Sequence, residues 1–324
     1  MKYERLGNTN IVVSKICVGG MSFGEASPSF HEWTLNQKET TNMIKIAFEN
    51  GINFIDTANC YSNGTSEIYI GNALKELNIP RNKVVIASKV YFNEGKLSKE
   101  AIFREIEGTL KRLQTDYIDI YQIHRFDYDT DISETMSALN ELVKQGKVRA
   151  IGASAMYGYQ FHNMQVIAEK LGLTLFATMQ NHYNLLYRED ERELIPICKQ
   201  YNVSLIPYSP LAGGHLTHLS WESDSLRSKT DNMLKKKYDD FKENDLVIIN
   251  RVNELSVKYN VSMAQISLAW LFKKGVTSAI VGATKEKHFL DAIKAIDVEL
   301  TNEDVAYLEE AYEPHKVIGA IPHK

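Results

Sequence analysis

An acid, a phenol, an amine and an imidazole fall at Asp56, Tyr61, Lys89 and His124, and together they suit one kind of proton transfer. A tyrosine hydroxyl, with an ordinary pKa of about 10, keeps its proton at neutral pH. A neighbouring ammonium stabilises the phenolate and favours release of that proton; Lys89 can supply it. A desolvated ammonium is costly, and a carboxylate beside it offsets the cost; Asp56 can do so. His124 can donate a hydrogen bond to a substrate oxygen and orient it. The four would make a proton donor beside a carbonyl-polarising group, suited to the oxyanion that forms as hydride reaches an aldehyde or ketone. Taken singly, each has a plainer role: Asp56 a cap or ion-pair partner, Tyr61 a loop aromatic, Lys89 a snorkelling cation, His124 a structural histidine. Schiff-base chemistry on Lys89 is open to the same set. The carboxylate opposes it by stabilising the charged amine.

These residues lie at or just past the ends of short apolar runs. Strands are predicted over 16–20, 54–58, 84–90, 118–124, 148–154, 176–180, 204–209 and 279–283, and helices over 38–49, 67–77, 99–113, 133–144, 159–171 and 189–200. In 67–77, Ile70, Leu74 and Leu77 share one face. The connection DTANCYSNGTSE, 56–67, predicts Thr65 or Ser66 as a helix cap with Glu67 in the first turn. About eight βα units predict a closed (β/α)8 TIM barrel, with its site at the C-terminal strand ends. A doubly wound open sheet is the other architecture. No G-x-G-x-x-G follows a strand and there is no P-loop, which favours the barrel.

Three segments stand outside the units. Residues 3–14 predict an N-terminal β-hairpin, turning at Gly7-Asn8-Thr9-Asn10, as a lid on the barrel's lower end. Residues 212–243 read as a long polar loop after strand 7, with Gly213-Gly214 as its hinge. The tail 313–324, with Pro314, Gly319 and Pro322, is not regular helix. No linker composition or internal repeat divides the chain, so 1–324 reads as a single domain.

The 324 residues are 44% hydrophobic and 24% charged with net charge -4, which is globular composition with ample core. The basic run Lys235-Lys236-Lys237 meets Asp239-Asp240, so it reads as a solvated face and no nucleic-acid partner is expected. No apolar stretch suits a bilayer span, and Met1–Arg5 opens no signal peptide. Cys17, Cys60 and Cys198 lack metal-ligand spacing. The expectation is a cytoplasmic protein with reduced thiols, no metal and no membrane partner. Cys60, beside Tyr61 but next to no basic residue, reads as packing rather than as a redox thiol.

Several stretches carry a family likeness: DTANCYSNGTSE at 56–67, SKV at 88–90, YQIHRFD at 121–127, GKVRAIGAS at 146–154, MQNHYNLLYREDERELIPIC at 179–198, PYSPL at 207–211 and VGATK at 281–285. On these the chain resembles the aldo-keto reductases from about Leu6 to Gly319, above all their aryl-alcohol dehydrogenase-like branch. The resemblance implies a (β/α)8 barrel and NADPH as hydride donor. It makes Asp56, Tyr61, Lys89 and His124 a catalytic tetrad, with Tyr61 as general acid. It also places Ser154 and Gln180 on the nicotinamide carboxamide, Tyr208 against the nicotinamide ring, and Ser209 and Leu211 near the pyrophosphate. Thr284, Lys285 and His288 fall in the stretch that holds the adenosine 2′-phosphate. Ala155 and Ala292 stand where asparagine is common, His288 where arginine often stands, and Gly213 where the related branch often has a basic residue. With those fixed charges missing, NADH is a second candidate donor.

Phe23, Trp33, Tyr91 and Phe126 follow strands and are expected to form an aromatic substrate pocket. The implied partner is a small carbonyl or alcohol substrate; no oligomeric interface is read from the pattern. A cofactor-binding regulatory subunit with little turnover is the alternative, as in the potassium-channel β subunits that resemble this family.

Overall fold

Strand parity decides where the polar side chains point. In the computed structural model, which describes residues 1–27 and 30–322, β1 (Tyr3–Arg5) and β2 (Val12–Ser14) pair as an antiparallel hairpin. Eight parallel strands follow: β3 (Ile16–Gly19), β4 (Phe54–Asp56), β5 (Val85–Val90), β6 (Ile118–Ile123), β7 (Val148–Ser154), β8 (Phe176–Gln180), β9 (Ser204–Leu205) and β10 (Ala279–Val281). They run in the order β10-β3-β4-β5-β6-β7-β8-β9. Thr277 N to Leu205 O at 3.0 Å and Ile280 N to Pro207 O at 3.1 Å join the last strand to β9 and close the ring. This is the (β/α)8 barrel with its N-terminal hairpin.

Leu6, Ile11 and Val13 of the hairpin segment pack with Cys17, Phe54, Ala87, Ile120, Ala150 and Ile206 in one buried cluster. It closes the lower end of the barrel. Side chains alternate along a strand, so the inward face that starts apolar must continue inward two residues later. Phe54 thereby aims Asp56 into the barrel, Ala87 aims Lys89, and Ile120 aims Gln122 and then His124. The apolar floor and the polar mouth share one face of each strand.

The predicted strand cores hold, with ends that differ by a few residues. The largest change is 204–209, where the ladder covers only Ser204–Leu205. The helix Thr65–Glu76 takes Gly64, at φ 88°, as its cap rather than Thr65 or Ser66. Three successive positive φ values, at Ser62, Asn63 and Gly64, turn the chain so tightly that both hydroxyls fall inside the helix. They tie loops together instead: Thr65 Oγ1 donates to Ser62 O at 2.7 Å, and Ser66 Oγ to Gly20 O at 2.7 Å. The run 189–200 splits into a turn, Glu189–Glu191, and a helix, Leu194–Gln200. Pro196 lacks an N–H, so it is tolerated only in a helix's first turn.

Residues 212–243 are not an open loop. They hold two short helices, Leu226–Thr230 and Asn232–Tyr238, because Trp221, Leu234 and Tyr238 are buried and dock them on the barrel. Four helices beyond the sequence-based assignments follow: Lys242–Tyr259, Met263–Lys273, Glu286–Lys294 and Asn302–Glu309.

Gly213 is the docking point rather than a free hinge. Its φ is +67°, and a Cβ there would lie 2.1 Å from Leu234 Cδ1. Alanine at 213 therefore meets both a left-handed backbone penalty of roughly 1 kcal/mol and a clash. G213A is expected to loosen Asn232–Tyr238. The readout is tryptic cleavage within Lys235–Lys237, about 5-fold faster or more than in the wild type. Unchanged cleavage would show that the helix is held elsewhere.

Candidate active site

Asp56, Lys89 and Gln122 come from adjacent strands, and the register sets Lys89 opposite Gln122. Lys89 Nζ donates to Asp56 Oδ2 at 2.6 Å, to Thr57 O at 2.7 Å and to Tyr61 OH at 3.2 Å. Asp56 Oδ1 accepts from Gln122 Nε2 at 3.0 Å and from Gln180 Nε2 at 2.7 Å. Lys89 is wholly buried and Asp56 nearly so. An ion pair this dry persists only when its remaining donors and acceptors are satisfied, and here two amides and a carbonyl satisfy them.

Tyr61 is positioned by the tight turn at 62–64, which the helix Thr65–Glu76 anchors. Glu67 in its first turn is buried, and accepts from Arg112 Nε at 2.6 Å and Ser88 Oγ at 2.5 Å. The Tyr61 ring meets the His124 ring edge-on at 5.9 Å between centroids. His124 Nδ1 lies 3.9 Å from Cys60 Sγ. The structure thus brings all four tetrad candidates together.

Electrostatics assign the protonation states. Burial alone would lower Lys89, but Asp56 and Tyr61 outweigh it and hold the amine above its ordinary value, as ammonium. Burial pushes the Tyr61 phenol up, and Lys89 pulls it only part of the way back. The expectation that Lys89 acidifies the phenol is therefore corrected: its pull is present, but desolvation is larger. Burial, then the charges of Lys89 and Arg125, push His124 well below its ordinary value, so it is neutral at pH 7. Burial lifts the Cys60 thiol to about 11, which fits a packing residue.

Above the tetrad opens a cleft of about 1090 Å³. Asp56, Tyr61 and His124 line it, as do Ser154, Gln180, Tyr208, Ser209, Leu211, Thr284, Lys285 and His288. Ser154 Oγ donates to Gln180 O at 2.8 Å. Tyr208 lies parallel to His182 at 5.1 Å, and Lys237 Nζ sits over the Tyr208 ring, 5.1 Å from its centroid. Burial, then the charges of Arg125 and Arg227, pull Lys237 down to about 8.

Of the four aromatics expected in a pocket, only Trp33 lines the cleft. Phe23 is fully buried in the core. Tyr91 packs against Phe92 at 5.1 Å, and it is Phe92 that faces the cleft and meets His124 at 4.9 Å. Phe126 packs on Tyr128 at 4.9 Å, away from the cleft. A one-residue offset after a strand reverses the side a ring faces, so residue type alone misplaced Tyr91. Sequence reading missed Phe92, Arg125 and Gln122, and it put Lys237 on a solvated face, whereas Lys237 is half-buried in the cleft over Tyr208. Only Gln122 carried a usable signal, its parity with Ile120 and His124. Among the described residues no group of His, Cys, Asp and Glu is arranged to hold a metal, and no helix is long and apolar enough to cross a membrane.

Comparisons with known proteins bear on the family and the fold. The model of the Aldo/keto reductase family matches residues 15–313. A Schizosaccharomyces pombe protein, provisionally named an aryl-alcohol dehydrogenase, is 42% identical, covering 98% of this chain and 98% of the relative. Versiconal hemiacetal acetate reductase of Aspergillus parasiticus is 41% identical, over 98% of each chain. A thermostable aldo-keto reductase solved with the inhibitor epalrestat superposes with a TM-score of 0.78 at 28% identity, covering 96% of this chain and 100% of that one.

Proposed function

This chain belongs to the aldo/keto reductase family, a family of carbonyl-reducing oxidoreductases, and from that premise we propose that it reduces aldehydes or ketones with NADPH, Tyr61 giving the proton. The carrying observation is the single ammonium, Lys89, bonded at once to Asp56 and to the Tyr61 hydroxyl beneath an open cleft.

The cleft's residues fit a nicotinamide dinucleotide. Lys285 and Lys287 also line the cleft. Between them the helix Glu286–Lys294 begins with no side-chain cap. Such a helix end suits a phosphate. When bound, the cofactor supplies the hydride. Ser154 and Gln180 offer a hydroxyl and an amide to its carboxamide. Tyr208 offers a flat face once Lys237 swings away from it.

Tyr61, kept protonated at neutral pH by burial, gives its proton to the carbonyl oxygen. Lys89 then stabilises the phenolate left behind, and Asp56 keeps Lys89 charged and oriented. Neutral His124, its Nδ1 beside Cys60, presents Nε2 to the same oxygen. A lysine held this firmly as ammonium is a poor Schiff-base nucleophile. The names of the aryl-alcohol relatives and the rings of Phe92 and Trp33 on the cleft wall together support an aromatic carbonyl substrate.

The test is turnover of 4-nitrobenzaldehyde with NADPH and with NADH, read at the cofactor's absorbance band. Tight cofactor binding without repeated turnover would favour a regulatory subunit instead. Lys285→Met should raise the KM for NADPH roughly 10-fold through loss of a charged phosphate contact. The KM for NADH should stay within about twofold. Equal effects on both cofactors would refute the assignment of Lys285 to the 2′-phosphate.

A further inference from the structure

Arg125 follows His124 directly and lines the same cleft. Its guanidinium lies over the Phe92 ring, 5.6 Å from the centroid, while Phe92 packs against His124 at 4.9 Å. Nη1 donates to the His124 carbonyl at 2.6 Å, the one hydrogen bond found for this side chain among the described residues. The cleft's other arginine, Arg227, is paired with Asp231 at 3.3 Å; Arg125 has no carboxylate partner among the described residues. A guanidinium carries five donors in a planar fork suited to a carboxylate. Lys237 is a further cation of the same cleft, in addition to Arg227, Lys285 and Lys287. The mouth beside Tyr61 therefore holds flat apolar rings and a guanidinium with no carboxylate partner among the described residues.

We propose that Arg125 is a specificity-determining residue that seats an acidic group, a carboxylate or an ionised phenol, on an aromatic carbonyl substrate. The assignment rests on the carbonyl-reductase reading above. One strand end then orients both ends of the substrate: His124 takes the carbonyl oxygen, Arg125 the anion, and Phe92 the ring between them. A cofactor diphosphate carries similar anionic chemistry, and the experiment separates the two sources.

Wild type, R125M and R125K are compared on 3- and 4-carboxybenzaldehyde and on their methyl esters, and the Kd for NADPH is measured in parallel. Wild type should prefer at least one free acid to its ester. R125M should raise the KM for that acid roughly 10- to 100-fold. The ester KM, kcat and the NADPH Kd should stay within about twofold of wild type. R125K should recover part of the loss, and added salt should weaken the acid but not the ester. The proposal is overturned if wild type treats acid and ester alike, or if R125M affects both equally, which would make Arg125 merely structural. It is also overturned if the NADPH Kd rises, which would give the seat to the diphosphate. Should wild type reduce none of these aldehydes, the carbonyl-reductase reading fails on its own. The seat is then decided by quenching of Trp33 and Trp221 fluorescence with 4-carboxybenzyl alcohol against its methyl ester. Acid-selective binding lost in R125M supports it, and equal binding overturns it.

Discussion

Tyr61→Phe is expected to lower aldehyde reduction by about 10²- to 10⁴-fold while leaving NADPH affinity within about twofold, the range assigned to a positioned general acid. The substitution removes one oxygen. The ring keeps its edge contact with His124 at 5.9 Å, and Lys89 keeps Asp56 at 2.6 Å and Thr57 O at 2.7 Å. The lost hydrogen bond to Lys89, 3.2 Å in the wild type, costs about 1 kcal/mol of stability, too little to unfold a barrel. A collapse of turnover with intact cofactor binding therefore isolates the proton. Turnover close to wild type would sink the mechanism, because the proton would then have another source.

Lys89→Met should damage stability as well as rate. Removing Nζ leaves the buried Asp56 carboxylate with amides on Oδ1 alone, from Gln122 and Gln180. Breaking a buried pair by deleting one partner costs about 3–5 kcal/mol, since the other charge is stranded. For a chain of this size that is a drop in melting temperature of roughly 5–8 °C. Turnover should fall by about 10²-fold or more as the phenolate loses its counter-charge. The double variant Asp56→Asn, Lys89→Met removes the stranded charge yet keeps an acceptor for both glutamines. It should melt above the Lys89→Met single variant while remaining inactive. If the single variant melts with the wild type, Asp56 is not the buried anion described here.

Three of the four candidates were legible from residue type and strand parity, and Tyr61, in the loop after its strand, from residue type and the family resemblance. Asp56 and Lys89 stand two residues beyond Phe54 and Ala87, and His124 four beyond Ile120, so alternation alone sends them inward. The hairpin lid was legible for a similar local reason: a turn sequence between two short extended runs. Helix ends were less so. Thr65 and Ser66 have the chemistry of caps, but the left-handed turn at 62–64 makes Gly64 the cap and carries both hydroxyls into the helix. The order in 212–243 was hidden because Trp221, Leu234 and Tyr238 are spread over a polar background and gain their burial from barrel surfaces far away in the chain.

By itself the sequence determined the alternation of strands and helices, the direction in which each strand aims its polar end, and hence that Asp56, Lys89 and His124 share the barrel mouth. Those are local matters, settled by steric periodicity within a few residues. Only the tertiary structure decided that desolvation outweighs Lys89 at the Tyr61 phenol, that Phe92 rather than Tyr91 faces the cleft, and that Lys237 covers Tyr208 while Arg125 stands without a carboxylate partner among the described residues. Burial, facing and charge balance depend on what distant segments bring into contact, and no run of neighbouring residues encodes that sum.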